Sequence, residues 1–277
     1  MKKIVIATDF SENSDSALVY ATFLAQQWKA ELLVIHAYFP VVSIDPNLAY
    51  DTVAPSTLQE EMIKSFEEQL DKIVDSLKDK QVKAQRELVV GSLSSGIAAF
   101  AKEKNADLIV VGKTPDTSFF NRLIGNTALH VVDNVNIPVL VVPVNSPAPS
   151  FRKIIYGTEL ESEEKEVLAK VFEWADTFKA KVELIKVNVD FELDVQDDKQ
   201  LLKDIEKNFA KEKFTFSTIK AEQVSEGLLN AAHTHKADLL VVARHHHSFL
   251  SELINPGKSK TIINKTDIPL LVYDMGE

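Results

Sequence analysis

An internal repeat constrains this chain more than any other feature. The opening Lys2-Lys3-Ile4-Val5-Ile6-Ala7-Thr8-Asp9 returns past the midpoint as Arg152-Lys153-Ile154-Ile155-Tyr156-Gly157-Thr158-Glu159. Ala106–Gly112 returns as Ala237–Ala243, and Asn136–Val142 as Asp267–Tyr273. From Asp107 to Asp238, and from Pro138 to Pro269, the offset is 131 residues, so the last third of each unit aligns without a gap. Two copies of one domain follow. They are expected over residues 1–144 and 151–277, joined by the proline-rich connector Pro143-Val144-Asn145-Ser146-Pro147-Ala148-Pro149-Ser150. A length of 277 residues suits two such domains, each large enough for its own core.

Composition removes several classes of function. There are 41 acidic against 31 basic residues, for a net charge of −10, and the basic residues gather into no stripe, which argues against nucleic acid as a partner. The absence of cysteine excludes disulfides, thiolate metal sites and a cysteine nucleophile. The apolar run after Met1-Lys2-Lys3 ends at Asp9, too early for a secretory signal core, and no segment has transmembrane length. A soluble cytoplasmic protein without a membrane partner is expected.

Short apolar runs alternate with amphipathic stretches. In the first copy strands are expected at Ile4–Thr8, Leu32–Tyr38, Val82–Val89, Leu108–Val111 and Val139–Val142. Runs such as Ile4-Val5-Ile6 are continuous rather than alternating, as when both faces of a sheet are covered. Helices are expected at Asn13–Trp28, Thr57–Lys78, Ser94–Lys104 and Asn126–Asn134, the first with Ala17, Ala21, Leu24, Ala25 and Trp28 on one face. The second copy repeats the pattern, with strands near Ile154 and at Val182–Val187, Phe214–Ile219, Leu239–Val242 and Leu270–Tyr273. Strand, helix, strand with right-handed crossovers gives an α/β fold: two tandem, doubly wound, parallel five-stranded sheets of Rossmann-like type.

In such sheets ligands bind beyond the carboxyl ends of the strands, where the connections diverge. That points to Thr8-Asp9-Phe10 and to Gly112-Lys113-Thr114. The segment from Gly112 to Thr127 ends on Gly125-Asn126-Thr127 at a helix start, where free N–H groups and the helix dipole favour an anion. At these residues the chain resembles the universal stress protein family along nearly its whole length. The resemblance rests on Thr8-Asp9-Phe10-Ser11, Gly112, Gly125 and Ile137-Pro138-Val139-Leu140-Val141-Val142. ATP-binding members carry a signature of Gly, two residues, Gly, nine residues, then Gly followed by Ser or Thr. It falls here on Gly112, Pro115, Gly125 and Asn126, with the spacing complete and two of the four letters changed. The resemblance implies a site for ATP or a related adenine nucleotide, with magnesium as its companion ion. Asp9 and Ala37 would meet the adenine, Val111 and Gly112 would line the pocket, the signature positions Gly112, Pro115, Gly125 and Asn126 would cradle ribose and phosphates, and Thr127 would sit beside the phosphates; Ala7, Thr8 and Lys113 complete the candidate set.

The departures have a physical cost. Proline at 115 lacks an N–H, and one hydrogen bond to a charged group contributes about 1.5–3 kcal/mol. Its loss weakens affinity by about ten- to a hundredfold without abolishing it. Asn126 keeps its backbone donor and Lys113 adds a positive charge to the loop, so modest binding is the expectation. The plainer alternative is that Gly112 and Gly125 only permit tight turns. The second copy is the poorer candidate, because Glu159, Ala243, His246 and Pro256 replace Asp9, Gly112, Pro115 and Gly125. Gly257-Lys258-Ser259 resembles the end of a P-loop, but Glu252 stands where the first glycine belongs.

Other residues invite sharper readings. Arg244-His245-His246-His247, with His233 and His235, could gather a metal, but adjacent histidines in a loop rarely converge, and an exposed polar loop is the reading adopted. His36 reads as a satisfied core histidine, and Ser11, Asn13 and Ser14 as helix capping rather than nucleophiles. Asp9 could serve as a general base or magnesium ligand, though recognition suits it better. No catalytic residue is assigned. The Phe39–Ser56 segment reads as a long loop beside the cleft. The apolar final strands of both units would lie on sheet edges. The resemblance implies that they meet across a pseudo-twofold axis, making the chain its own dimer, with a further homodimer left to light scattering. Three functions remain: a stress-response sensor that binds nucleotide and contacts an unknown protein, a nucleotide-independent scaffold, and a slow ATP-hydrolysing or nucleotidyl-transfer enzyme.

Overall fold

The computed structural model describes residues 1–39, 53–91, 93–113, 127–189, 198–244 and 262–275. The first unit runs β1 (Lys3–Ala7), α1 (Glu12–Trp28), β2 (Glu31–Tyr38), α2 (Val53–Asp79), β3 (Ala84–Val90), α3 (Leu93–Glu103), β4 (Leu108–Lys113), α4 (Thr127–Asn134) and β5 (Val139–Pro143). The second runs β6 (Lys153–Gly157), a 3-10 turn (Ser162–Glu164), α5 (Lys165–Phe178), β7 (Lys181–Val189), α6 (Asp198–Asn208), β8 (Phe214–Ala221), α7 (Val224–Thr234), β9 (Leu239–Arg244), α8 (Ile262–Lys265) and β10 (Leu270–Asp274). The expected elements are all present, with ends shifted by a few residues.

The two halves share one ten-stranded sheet in the order β3-β2-β1-β4-β5-β10-β9-β6-β7-β8. Every neighbouring pair is parallel except β5 and β10, which pair antiparallel through Leu270 with Val141, Leu271 with Leu140 and Val272 with Val139. The two apolar edge strands therefore cover each other, which removes the exposed ladder each unit would present alone. Alternate residues of the central strands supply two cores. Ile4, Ile6, Leu32 and Val34 pack under α1 and α2, whereas Val5, Leu33, Ile35 and Val111 pack under α3 and α4. This two-sided burial explains why the strands read as unbroken apolar runs.

Equivalent aspartates brace both units. Asp107 Oδ2 accepts from the N–H groups of Lys2 and Lys3, at 2.6 and 2.9 Å, and Asp238 Oδ2 from those of Arg152 and Lys153, each at 2.8 Å. Between the units the connector docks rather than loops out. Tyr20 donates its hydroxyl to Pro147 O at 2.9 Å, and burial, reinforced by the Asp238 charge, pushes its pKa up to about 12. Fully buried Phe151 then inserts between α1 and α5, with its ring centroid 5.7 Å from Tyr20, 5.3 Å from Trp174 and 5.1 Å from Phe178. Among the described residues no helix is long and apolar enough to cross a membrane.

Candidate functional site

The strand order fixes where a ligand can approach. The chain winds from β1 out to β3 with α1 and α2 on one face, then returns through β4 to β5 with α3 and α4 on the other. Connections diverge between β1 and β4, so the crevice of a doubly wound sheet opens above Asp9 and Gly112.

The turn after β1 is built from a chain of hydrogen bonds. Thr8 N–H donates to Ile35 O at 2.9 Å, and His36 Nδ1 lies 2.8 Å from Thr8 O. Because a carbonyl can only accept, this contact places a hydrogen on Nδ1 and makes His36 the satisfied core histidine expected from its strand. Thr8 Oγ1 accepts from Phe10 N–H at 3.0 Å and donates to Ser14 Oγ at 3.0 Å, and Ser14 in turn donates to Ser11 O at 2.8 Å. These bonds hold Phe10 at φ 61°, a conformation costly for a bulky side chain and maintained only by surroundings that specify it. Asp9 stands exposed at the rim, with Oδ1 accepting from Ser11 N–H at 3.0 Å and from Ser11 Oγ at 2.5 Å. Ser11 occupies the N-cap position, but its hydroxyl orients Asp9 and makes no capping bond, which corrects its reading as a capping side chain.

Gly112 serves a close approach. A Cβ there would lie 2.4 Å from Asn13 O, so only glycine lets the end of β4 meet the first turn of α1. Ala7 and Val111 are buried in the α3 side of the core and form a floor, while Ala37 is half-buried at the end of β2. The structure thus brings Ala7, Thr8, Asp9, Ala37, Val111 and Gly112 to one edge of the sheet. Thr127 opens α4. Pro115, Gly125 and Asn126 lie outside the described residues, as does most of Phe39–Ser56.

Lys113 requires a correction. It is the last residue of β4, not a loop cation, and its buried Nζ donates to Thr266 O in the second unit at 2.7 Å. Its partner on β5 is Pro143, and β5 is the strand that pairs with β10 at the junction of the units. Sequence reasoning also missed an aromatic group on the α2 side. Phe10 and Phe66 each lie 4.5 Å from the His36 ring, and Tyr38 lies 6.0 Å from Phe66. The helical spacing of Phe66, Leu70 and Val74 was the available signal.

The second unit repeats the turn with different chemistry. Leu160 has φ 61°, Thr158 N–H donates to Ile185 O at 3.0 Å, and Thr158 Oγ1 accepts from Leu160 N–H at 2.9 Å. At the position of Ser14, however, stands Glu164, which is 0% exposed. Its carboxyl takes the Thr158 hydroxyl at 2.5 Å and the Glu159 N–H at 2.8 Å. Desolvation pushes its pKa up to about 8, against the lowering effect of those two bonds and with help from nearby Glu159 and Glu161.

Of the candidate histidines, His233 and His235 lie among the described residues, and they do not converge. His233 Nε2 lies 3.0 Å from Asp267 and His235 Nδ1 lies 2.9 Å from Glu183, two separate pairs. Arg244 belongs to β9 rather than to an exposed loop, and its guanidinium bonds Asp274. Its strand position next to β10 explains the difference. His245, His246, His247, Glu252, Pro256 and Gly257-Lys258-Ser259 lie outside the described residues. Among the described residues no group of three or more His, Asp or Glu side chains could hold a metal ion.

Known proteins resemble this chain in sequence and fold. The model of the universal stress protein family matches residues 1–143 and again 150–274. A universal stress protein of Methanocaldococcus jannaschii is 35% identical over 142 residues, covering 51% of this chain and 81% of its own. Universal stress protein YxiE of Bacillus subtilis is 28% identical over 144 residues, covering 50% and 97%. Among solved structures, a universal stress protein from Archaeoglobus fulgidus superposes with a TM-score of 0.76 at 17% identity, covering 99% of this chain and 98% of its own. The twofold match and the shared architecture lead to one conclusion: this chain belongs to the universal stress protein family and carries two of its domains in tandem.

Proposed function

We propose that the first unit binds an adenine nucleotide, ATP or a close relative, modestly and with magnesium at its phosphates, and that the chain serves in the cytoplasm as a stress-response sensor rather than as an enzyme. The observation that carries this reading is the exposed Asp9 carboxylate, held by Ser11 at the point where the connections of β1 and β4 diverge. A carboxylate fixed beside a small apolar floor suits the exocyclic amine and flat face of adenine. Lys113 drops out of the phosphate contacts, because its ammonium is committed to Thr266 O. Affinity then rests on Asp9, on backbone donors around Gly112 and on the start of α4. Among the described residues the Ser11 hydroxyl bonds Asp9 and no His or Lys hydrogen-bonds it, which favours binding over turnover. The units follow the domain division at residues 1–144 and 151–277, and Glu164 and Ala243 mark the second as the structural one.

Calorimetric titration of ATP and AMP, with and without magnesium, tests the reading. Wild type should give heat, and Asp9→Ala should bind about tenfold more weakly, the equivalent of one charged hydrogen bond. No heat from wild type, together with no nucleotide co-purifying by mass spectrometry, would reject it in favour of a nucleotide-independent scaffold.

A further inference from the structure

Two cations at equivalent positions cross between the units. Lys113 ends β4 and Arg244 ends β9, 131 residues later, the same offset that relates the last thirds of the units. Lys113 Nζ donates to Thr266 O at 2.7 Å, and Arg244 Nη2 donates to Val135 O at 3.3 Å. Val135 and Thr266 are themselves equivalent, and each follows directly after its unit's last helix, α4 or α8. Each unit therefore sends a cation from the end of its fourth strand to the carbonyl that closes the other unit's last helix. Such carbonyls lack intrahelical donors, and at the end of α4 they also carry the negative end of the helix dipole.

The two crossings differ in the shape of the donor. Lys113 grips the second unit with a compact ammonium. Arg244 grips the first with a guanidinium whose side chain is 11% exposed, bonded also to Asp274 and 3.9 Å from Asp133 of α4. A planar fork of donors fixed by carboxylates holds direction in a way that a flexible ammonium does not. Burial raises the Asp133 carboxyl pKa, and the Arg244 charge opposes that rise, so the helix end and the guanidinium depend on each other. The first turn of α4 carries Thr127, and β4 next to it carries Gly112.

We infer that the second unit is a positioning subunit for the first, with Arg244 as the positioning residue that sets α4 against the adenine-nucleotide site. This rests on the reading under Proposed function. It also gives a reason for a tandem chain to keep a copy whose own strand end is closed by Glu164.

The test combines nucleotide titration with hydrogen exchange on the full chain. R244M should weaken ATP binding by about tenfold, within the usual range of coupling between sites. It should also speed amide exchange across residues 127–135 while leaving β1 to β3 protected. R244K, which keeps the charge but loses the planar fork, should recover only part of the affinity. The double variant R244M/D274N removes the carboxylate that R244M would leave buried without its cation, so it keeps the measurement available if R244M folds poorly. Ile205→Ala, a core change within the second unit, controls for general loosening. Wild-type affinity and wild-type exchange at 127–135 in the Arg244 variants would overturn the inference, as would an equal loss of affinity in Ile205→Ala. Should wild type give no heat with ATP, the nucleotide reading fails by itself, and exchange at 127–135 alone decides whether Arg244 holds α4.

Discussion

The turn after β1 and the turn after β6 have the same backbone and opposite interiors. Both hold a threonine whose hydroxyl accepts an N–H two residues on, and both put the residue between strand and helix at φ 61°. Under the first lies Ser14, a small hydroxyl, and beside it Gly112 lets α1 begin at Glu12. Under the second lies Glu164, and beside it stands Ala243. A methyl at the glycine position would press on the helix's first carbonyls, and in this unit a 3-10 turn precedes α5, which starts only at Lys165. Two substitutions thus turn an open strand end into one whose backbone N–H is already taken by a carboxyl from its own chain.

The comparison can be broken most forcefully through Glu164. Its folded-state pKa of about 8 lies above the ordinary glutamate value of 4.5, so between these pH values the folded chain holds a proton that the unfolded chain has released. Stability from this group is fully present below pH 4.5 and is lost as pH rises through 8, by up to about 5 kcal/mol. Glu164→Gln, always neutral, keeps one oxygen to accept the Glu159 N–H and turns an NH2 toward the Thr158 hydroxyl oxygen; it should flatten that slope, and urea melts at pH 5, 6.5 and 8 would reveal it. A wild-type chain with no such slope would show that the carboxyl is hydrated rather than sealed.

Next in size is Gly112→Ala, which sets a methyl against the Asn13 carbonyl and should cost about 1–3 kcal/mol. If chemical denaturation finds it neutral, the start of α1 yields easily and glycine is not what separates the two turns. Smaller again is Ser14→Ala, which deletes the partner of the Thr8 hydroxyl while Thr8 keeps the Phe10 N–H. About 1 kcal/mol is expected. Smallest is Lys78→Ala, in a fully exposed ion pair with Asp75 far from either turn, which should leave the melting midpoint unchanged and so calibrates the others.

The fold was legible because its causes are local and periodic. Ile4-Val5-Ile6 and Leu108-Ile109-Val110-Val111 read as strands covered on both faces, whereas the meeting of the two apolar final strands, seen in Leu140 against Leu271, was implied by the family resemblance. The site was legible only in outline. Asp9 and Gly112 could be located from the ends of strands, but the role of Gly112 as the seat of the Asn13 carbonyl depends on a helix almost a hundred residues earlier in the chain. Charged residues misled most. Lys113 read as a loop cation and Arg244 as part of a polar loop, and Glu164 drew no reading at all, since a charged letter normally means water. Each is buried by a partner that no local pattern announces: Thr266 O, Asp274 and Thr158.

The pairing of β5 with β10 makes the connector a tether rather than a strut. Phe151 would stay wedged among Tyr20 and Phe23 even if the peptide chain were severed near Pro147. A nicked molecule would then leave a sizing column as a single particle and separate into halves only when denatured.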